Sequence, residues 1–142
     1  MKTDRLMLQE KQGIKIQIPM LLSMLWVFLS LNYILCDLLT NMEMSVLRGL
    51  FDGIITGIPI TEGFLLLTEI SLEIPFLMVV LSAVLPYKVN RIINIGAAIL
   101  MIMYQLASFF MGSDITLHYI FFSVMAILGN IVILVLTLRW KR

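Results

Sequence analysis

Four long apolar stretches, separated by polar or mixed connections, fill most of the chain after residue 17. They cover about residues 18–40, 61–85, 90–111 and 118–138, and each reaches the roughly 20 apolar residues that a membrane-spanning helix needs. Pro19 suits the first turn of the first helix, and Pro86 follows the end of the second. The pattern predicts an all-α polytopic membrane protein, a four-helix transmembrane bundle that forms one domain over residues 1–142.

The connection over residues 41–60 is the only long one, and it mixes apolar with charged residues. One interpretation is a short interfacial helix or cap that lies over the end of the bundle. Gly49, Gly53 and Gly57 recur every four residues, which also fits a re-entrant segment or a small-residue packing face. Both interpretations stay open at this point.

Basic residues are distributed unevenly between the two sides of the predicted bundle. Nine of the ten lie in the two tails or beside the connection between the second and third spans, and only Arg48 lies on the other side. The nine are Lys2, Arg5, Lys11, Lys15, Lys88, Arg91, Arg139, Lys141 and Arg142. Because cytoplasmic loops carry the excess of Lys and Arg, we predict that both termini are cytoplasmic.

Composition excludes several classes of function. Hydrophobic residues make up 61% of the chain and charged residues 13%, with a mean hydropathy of +1.02, far from a soluble domain. A net charge of +1 without a basic patch argues against nucleic acid. Cys36 and His118 are the only residues of their types, so we expect no metal site and no cofactor. We find no nucleophile–base pair or phosphate loop and predict no catalytic residue, a pattern that favours a non-enzyme and leaves the question of an enzyme open.

Each predicted span carries one polar stripe at helical spacing, which favours polar faces turned into the bundle. The stripes of the first, third and fourth spans include Asn32, Tyr33 and Asp37, then Gln105, then Asn130. In the second span, Glu62, Glu69 and Glu73 are seven and then four residues apart and share one face. The structural explanation is that these polar side chains only hold neighbouring helices together.

The carboxylates suggest a functional site, because ionisable groups within a bilayer mark substrate or ion pathways by default. We predict an acidic pocket that opens outward, with Glu62 at its rim and Asp37, Glu69 and Glu73 carrying charge. The ligand would be oriented by Asn32, Tyr33, Gln105 and Asn130. No intramembrane base balances these acids. Because two acids one helical turn apart resist ionising together, our hypothesis is that Glu69 and Glu73 share a proton or hold a cation.

Two functions of different classes follow from this pattern. The first is binding or transport of a proton, a cation or a small amphipathic ligand through the acidic pocket. The second is a non-catalytic accessory or assembly subunit of a larger membrane complex, whose glutamates pack against neighbouring helices. The expected partners are the lipid bilayer, a small cationic or amphipathic ligand, and a second copy or a larger membrane complex.

Two short motifs carry a family resemblance. The first, W-x-F-x-x-L-N-Y-x-x-x-D, begins at Trp26 and ends at Asp37; E-I-P begins at Glu73 and is followed by L-x-x-x-x-N-R from Leu85 to Arg91. The chain resembles a family of small four-helix bacterial membrane proteins without an assigned activity, which implies a multi-pass protein of the bacterial inner membrane. It is more distantly similar to DoxX-like proteins, a resemblance that implies a third function, membrane redox chemistry.

Overall fold

The computed structural model describes residues 17–55, 57–111 and 116–141. Its elements are α1 (Ile18–Asn41), α2 (Met44–Phe51), β1 (Ile54–Ile55), β2 (Ile58–Pro59), α3 (Glu62–Val84), α4 (Tyr87–Met111) and α5 (Leu117–Arg139). Helices α1, α3, α4 and α5 are each long and apolar enough to cross a membrane, which confirms the predicted all-α transmembrane bundle. Lys2, Arg5, Lys11, Lys15 and Arg142 lie outside the described residues, and the orientation of the termini stays a prediction.

Each predicted span corresponds to one helix, with bounds that differ by at most three residues. The largest difference is at α4, which begins at Tyr87 rather than at residue 90. The Asn90 backbone N–H donates to the Pro86 carbonyl at 2.9 Å, so the helix starts directly after the proline. Proline tolerates this place because the first N–H groups of a helix have no partner within the helix.

The helices do not surround the bundle axis evenly. Helix α1 packs mainly against α3 and α5, and α4 packs mainly against α5, whereas α3 and α4 contact each other much less. Only 11% of the most apolar stretch of α3 is buried, against 39% for α1. We call the end with residues 41–60 the loop end, and the end with the Pro86 connection the turn end. The sparse α3–α4 packing leaves one side of the bundle open.

The apolar core lies on the inner face of α1 and the helices around it. Leu22, Trp26 and Leu29 are fully buried, as are Ala126 and Ile133 of α5. Burial of a large apolar side chain in a soluble core contributes about 1.5–3 kcal/mol, but lipid is itself apolar. Close packing and hydrogen bonds therefore hold these helices together.

Helices α1 and α5 approach each other closely at Gly129. A Cβ atom added there would lie 2.8 Å from Cδ2 of Leu29. Small residues at such crossings let two backbones pack tightly within a membrane. The contact fixes the separation of α1 and α5 near the middle of both helices.

The connection over 41–60 forms a short helix and a two-stranded antiparallel hairpin, with Ile54 opposite Pro59 and Ile55 opposite Ile58. At eight residues, α2 is about 12 Å long, too short to cross a bilayer. This length favours the interfacial helix over a re-entrant segment. Gly53 and Gly57 have positive φ angles of 72° and 83°, which glycine adopts without steric cost.

Side-chain contacts tie the connections to the bundle. At the loop end, His118 Nδ1 lies 3.4 Å from Glu43 Oε1, and His118 Nε2 lies 3.4 Å from Thr40 Oγ1. At the turn end, the Tyr87 hydroxyl donates to the Trp140 carbonyl at 2.9 Å. These contacts join the N-terminus of α5 to the connection over residues 41–60 and its C-terminus to α4.

Candidate functional site

The polar groups in the turn half of the bundle form one saturated network. The Trp26 indole N–H donates to Asn94 Oδ1 at 2.7 Å, and Ser82 Oγ donates to the same oxygen at 3.0 Å. Asn90 Nδ2 donates to the Ser82 carbonyl at 2.7 Å. All four residues are fully buried. Because these groups already have protein partners, the network joins α1, α3 and α4 rather than binding a ligand.

Two of the predicted orienting residues are also held by protein partners. Asn32 Nδ2 donates to the Phe122 carbonyl at 2.9 Å, joining α1 to α5. Gln105 Nε2 donates to Ser123 Oγ at 2.9 Å, joining α4 to α5. Their side chains are 6% and 7% exposed. They help to build the walls of the bundle at the loop end, and they stay candidates for orienting a ligand.

Tyr33 and Asn130 form a second contact between α1 and α5. Asn130 Nδ2 donates to the Tyr33 hydroxyl at 3.0 Å and to the Ala126 carbonyl at 2.9 Å. Asn130 is fully buried and Tyr33 is 7% exposed. Asn130 Oδ1 is a buried polar atom that has no hydrogen-bond partner in the described residues.

Asp37 continues the inner face of α1. It follows Trp26, Ser30 and Tyr33 at spacings of four, three and four residues, and those three residues are buried. Asp37 itself is exposed. Residues three or four apart share one helix face, so an exposed residue on this face marks an opening in the bundle. The opening lies at the loop end of α1.

Tyr104 of α4 borders the same opening. Its hydroxyl lies beside Ser71 of α3, and that hydroxyl is close enough to Asp37 and Tyr119 to interact with them electrostatically. Tyr33 is within the same range of Tyr104. Tyr104 is 43% exposed, which agrees with the sparse packing of α3 on α4. We call the opening bounded by Asp37, Ser71 and Tyr104 the Asp37 cleft.

The glutamates of α3 differ from the prediction. Glu62, Glu69 and Glu73 are exposed, whereas α3 buries Pro75, Met78 and Ser82. At 3.6 residues per turn, Glu69 and Glu73 lie about 120° and 160° around the helix axis from Pro75. The expectation that these acids face the bundle interior with Asp37 is wrong, because α3 packs on the opposite face. The hypothesis that Glu69 and Glu73 share a proton or hold a cation does not depend on which way they face, and it stays a prediction.

The Asp37 cleft combines one carboxylate, that of Asp37, with the phenol group of Tyr104 and the hydroxyl of Ser71. Within residues 17–55, 57–111 and 116–141, no group of three His, Cys, Asp or Glu side chains is placed to hold a metal ion. Among the residues that the structure describes, His118 lies within ion-pair distance of Glu43 at 3.4 Å, and this pair does not include Asp37. Such a cleft suits a small cation, because a carboxylate and the faces of aromatic rings both attract positive charge.

Sequence reasoning missed Tyr104 and Ser71 as site residues. The helical spacing of both residues relative to inward-facing neighbours could have indicated them. Tyr104 follows the buried Met101 by three residues, and Ser71 precedes the buried Pro75 by four. These spacings place both side chains on inward faces. Ser71 lies on the other side of α3 from Glu69 and Glu73, so the acidic stripe did not point to it.

Comparison with known proteins identifies the family but supplies no activity. No curated protein and no solved structure matches the chain. No match supports the similarity to DoxX-like proteins, and membrane redox chemistry stays a prediction. A family model matches residues 12–142. The chain belongs to the family of unknown function DUF6326.

Proposed function

We propose that this multi-pass membrane protein binds, and in a transport cycle carries, a small cation or protonated amphipathic molecule in the Asp37 cleft. The observation that carries the proposal is the carboxylate of Asp37 on the inner face of α1, near the hydroxyl of Tyr104, which itself lies beside Ser71. A carboxylate within a membrane bundle is costly and marks a functional group by default. The predicted topology makes this cleft open outward.

The surroundings of Asp37 favour a cation over an anion. Tyr104 places an aromatic ring near the carboxylate, and a ring face attracts a cation by about 0.5–2 kcal/mol. The basic residues of α4, Lys88 and Arg91, both lie at the turn end, the far end of that helix from Tyr104. Arg91 donates to the Leu138 carbonyl there at 3.2 Å. The charge of Asp37 is therefore available to a ligand.

Apolar residues flank the cleft. Leu67 precedes Ser71 by four residues and Leu100 precedes Tyr104 by four, so each shares the face of its partner. They are 65% and 51% exposed. An apolar tail on the ligand would contact these side chains while its charge faces Asp37. This arrangement supports an amphipathic ligand.

Asp37→Asn and Glu62→Gln form a matched pair for testing the proposal. Both remove one carboxylate near the loop end, but Glu62 is on the exposed rim of α3 rather than in the cleft. We expect phenethylammonium to raise the melting temperature of wild type and Glu62→Gln in nanodiscs, and not that of Asp37→Asn. An equal response of all three proteins would contradict the proposal, as would the absence of any response.

A second function is supported by the exposed glutamates. Glu73 lies at the midpoint of α3 (Glu62–Val84), and Glu69 lies one turn away. A carboxylate at the centre of a bilayer costs about 2.5–3.5 kcal/mol on insertion scales. We propose as the alternative that α3 is covered by a second membrane chain, which makes the protein an assembly subunit.

Native gel migration in mild detergent tests this alternative. The wild type should migrate above the monomer mass, and Glu69→Leu/Glu73→Leu should migrate as the monomer. Asp37→Asn is the control and should keep the larger assembly. A wild type that migrates as the monomer, or a double variant that keeps the larger assembly, would rule out a carboxylate-dependent interface.

A further inference from the structure

Two distant parts of the chain meet at the turn end of the bundle. The Tyr87 hydroxyl donates to the Trp140 carbonyl at 2.9 Å, and the two rings meet edge to face with their centroids 5.0 Å apart. One turn further along α4, Arg91 Nη2 donates to the Leu138 carbonyl at 3.2 Å. These contacts hold the start of α4 against the end of α5.

Four basic residues lie in or beside these contacts. Lys88 and Arg91 belong to the start of α4, Arg139 ends α5, and Lys141 follows it. Lys88, Arg139 and Lys141 are exposed, and Arg91 is half-buried. We call the surface that these four residues form with the two stacked rings the turn-end basic surface.

The charge of this surface is not balanced by nearby acids. In the part of the chain that the structure describes, every acidic residue lies between Asp37 and Glu73. That span runs from the loop half of α1 to the middle of α3, so none of these acids lies in the turn half of the bundle. Positive charges that are held together without a counter-charge attract an anion.

Apolar side chains lie beside the charged ones. Val89 and Ile92 of α4 and Leu138 of α5 are exposed, on helices long and apolar enough to cross a membrane. Lys and Arg near the ends of such helices extend to the headgroup layer, and Trp and Tyr are enriched there. The surface therefore matches a molecule that has an anionic headgroup and an apolar tail.

We propose that the turn-end basic surface binds one anionic phospholipid, whose phosphate lies between the basic side chains of α4 and those at the end of α5. The planar guanidinium of Arg91 suits the geometry of a phosphate group, and Lys88 and Lys141 act as point charges. A zwitterionic lipid has the same phosphate but also a positive group of its own, so its net attraction is weaker. This inference is independent of the Asp37 cleft, which lies at the loop end.

Native mass spectrometry of the full chain in a neutral detergent tests the proposal by counting bound lipids. Phosphatidylglycerol and phosphatidylcholine are titrated separately, and a neutral micelle excludes the general attraction of a charged bilayer. We expect one phosphatidylglycerol to bind at least about 10-fold more tightly than phosphatidylcholine, because each basic side chain near an anionic headgroup contributes roughly fivefold. Equal binding of the two lipids would overturn the proposal.

Two double variants with the same change in charge locate the lipid. Lys88→Gln/Lys141→Gln removes two exposed charges of the surface and should reduce the preference by at least about fivefold. Lys11→Gln/Lys15→Gln removes two charges that lie outside the described residues and should keep the preference. An equal loss in both variants would assign the preference to total charge and overturn the site.

A charge-conserving variant separates binding from folding. Lys88→Arg/Lys141→Arg keeps both charges and should keep the wild-type preference for phosphatidylglycerol. A loss as large as that of the glutamine variant would show that the lysines act through packing, which would contradict an electrostatic headgroup site.

Inorganic phosphate distinguishes a lipid from a free anion. Millimolar phosphate should leave the bound phosphatidylglycerol in place, because the free ion lacks the apolar tail that contacts the exposed side chains of α4 and α5. Displacement of the lipid by inorganic phosphate would overturn the assignment of this surface to a phospholipid.

Discussion

The Trp26 indole N–H donates to Asn94 Oδ1 at 2.7 Å in the fully buried turn half of the bundle. Ser82 donates to the same oxygen, so one amide connects α1, α3 and α4. Asn94→Leu should lower the free energy of unfolding by about 2 kcal/mol, because buried donors lose their acceptor. Reversible denaturant unfolding in mixed micelles measures this loss.

Trp26→Phe is the matched control for Asn94→Leu. It removes one donor while keeping an aromatic ring, and we expect a loss of about 1 kcal/mol, typical of a hydrogen bond between membrane helices. A loss for Trp26→Phe larger than that for Asn94→Leu would show that ring packing, rather than the amide, stabilises this layer.

Gly129 and Gly96 predict opposite responses to the same substitution. Gly129→Ala should destabilise the protein by about 1–2 kcal/mol, because the new Cβ would lie 2.8 Å from the buried Leu29 and overpacking is costly. Gly96→Ala places its Cβ in open space and should stabilise α4 by up to about 1 kcal/mol. Thermal unfolding of both variants checks the difference, and equal changes would contradict the close α1–α5 crossing.

Tyr104 allows the ring and the hydroxyl to be separated. Tyr104→Phe keeps the ring face and should lower the affinity for phenethylammonium by less than about threefold. Tyr104→Leu removes the ring and should lower it by about 3–30-fold, since a cation–π contact contributes about 0.5–2 kcal/mol. Calorimetric titration in nanodiscs gives both values, and a Phe variant as weak as the Leu variant would instead assign the contribution to the hydroxyl.

The contact between Glu43 and His118 predicts a local effect at the loop end. Glu43→Ala should speed amide exchange in α2 (Met44–Phe51) while changing the free energy of unfolding by less than about 1 kcal/mol, as expected for a partly exposed ion pair. Hydrogen exchange with mass spectrometry resolves the segment. Unchanged exchange in α2 would mean that the hairpin after it, rather than His118, holds the short helix.

Thr61 supplies the side-chain cap of α3. The Phe64 backbone N–H donates to Thr61 Oγ1 at 3.2 Å, and removing such a cap costs about 1 kcal/mol. Thr61→Ala should lose that stability, whereas Thr61→Ser keeps the oxygen and should lose little. Chemical unfolding of the two variants provides the comparison, and equal losses would point to the threonine methyl group instead.

Much of the fold was predictable from local pattern. Each span is an apolar stretch long enough to cross a bilayer, and its ends coincide with polar residues or proline. The polar stripes of α1, α4 and α5 do face inward: Tyr33, Gln105 and Asn130 are buried. Each of these helices has a single polar stripe and otherwise apolar faces, so the polar stripe identified the face that packs inward.

Helix α3 shows where this reasoning fails. It carries an acidic stripe with Glu69 and Glu73, and a smaller stripe with Ser71, Pro75 and Ser82. Helical periodicity shows which residues share a face, but not which face packs against neighbours. Small and compact side chains allow helices to approach within a membrane, and the structure buries the second stripe.

The sequence by itself determined the number, length and boundaries of the spanning helices, because these depend on local hydropathy and on where proline and polar residues fall. It also identified Asp37, Tyr33 and Asn130 as inward-facing residues. Only the tertiary structure decided that Glu69 and Glu73 face outward and that the Tyr104 hydroxyl lies within electrostatic range of Asp37. Those relationships depend on the rotation of one helix against another, which is set by the summed packing of all neighbours and is not encoded in any single stretch of chain.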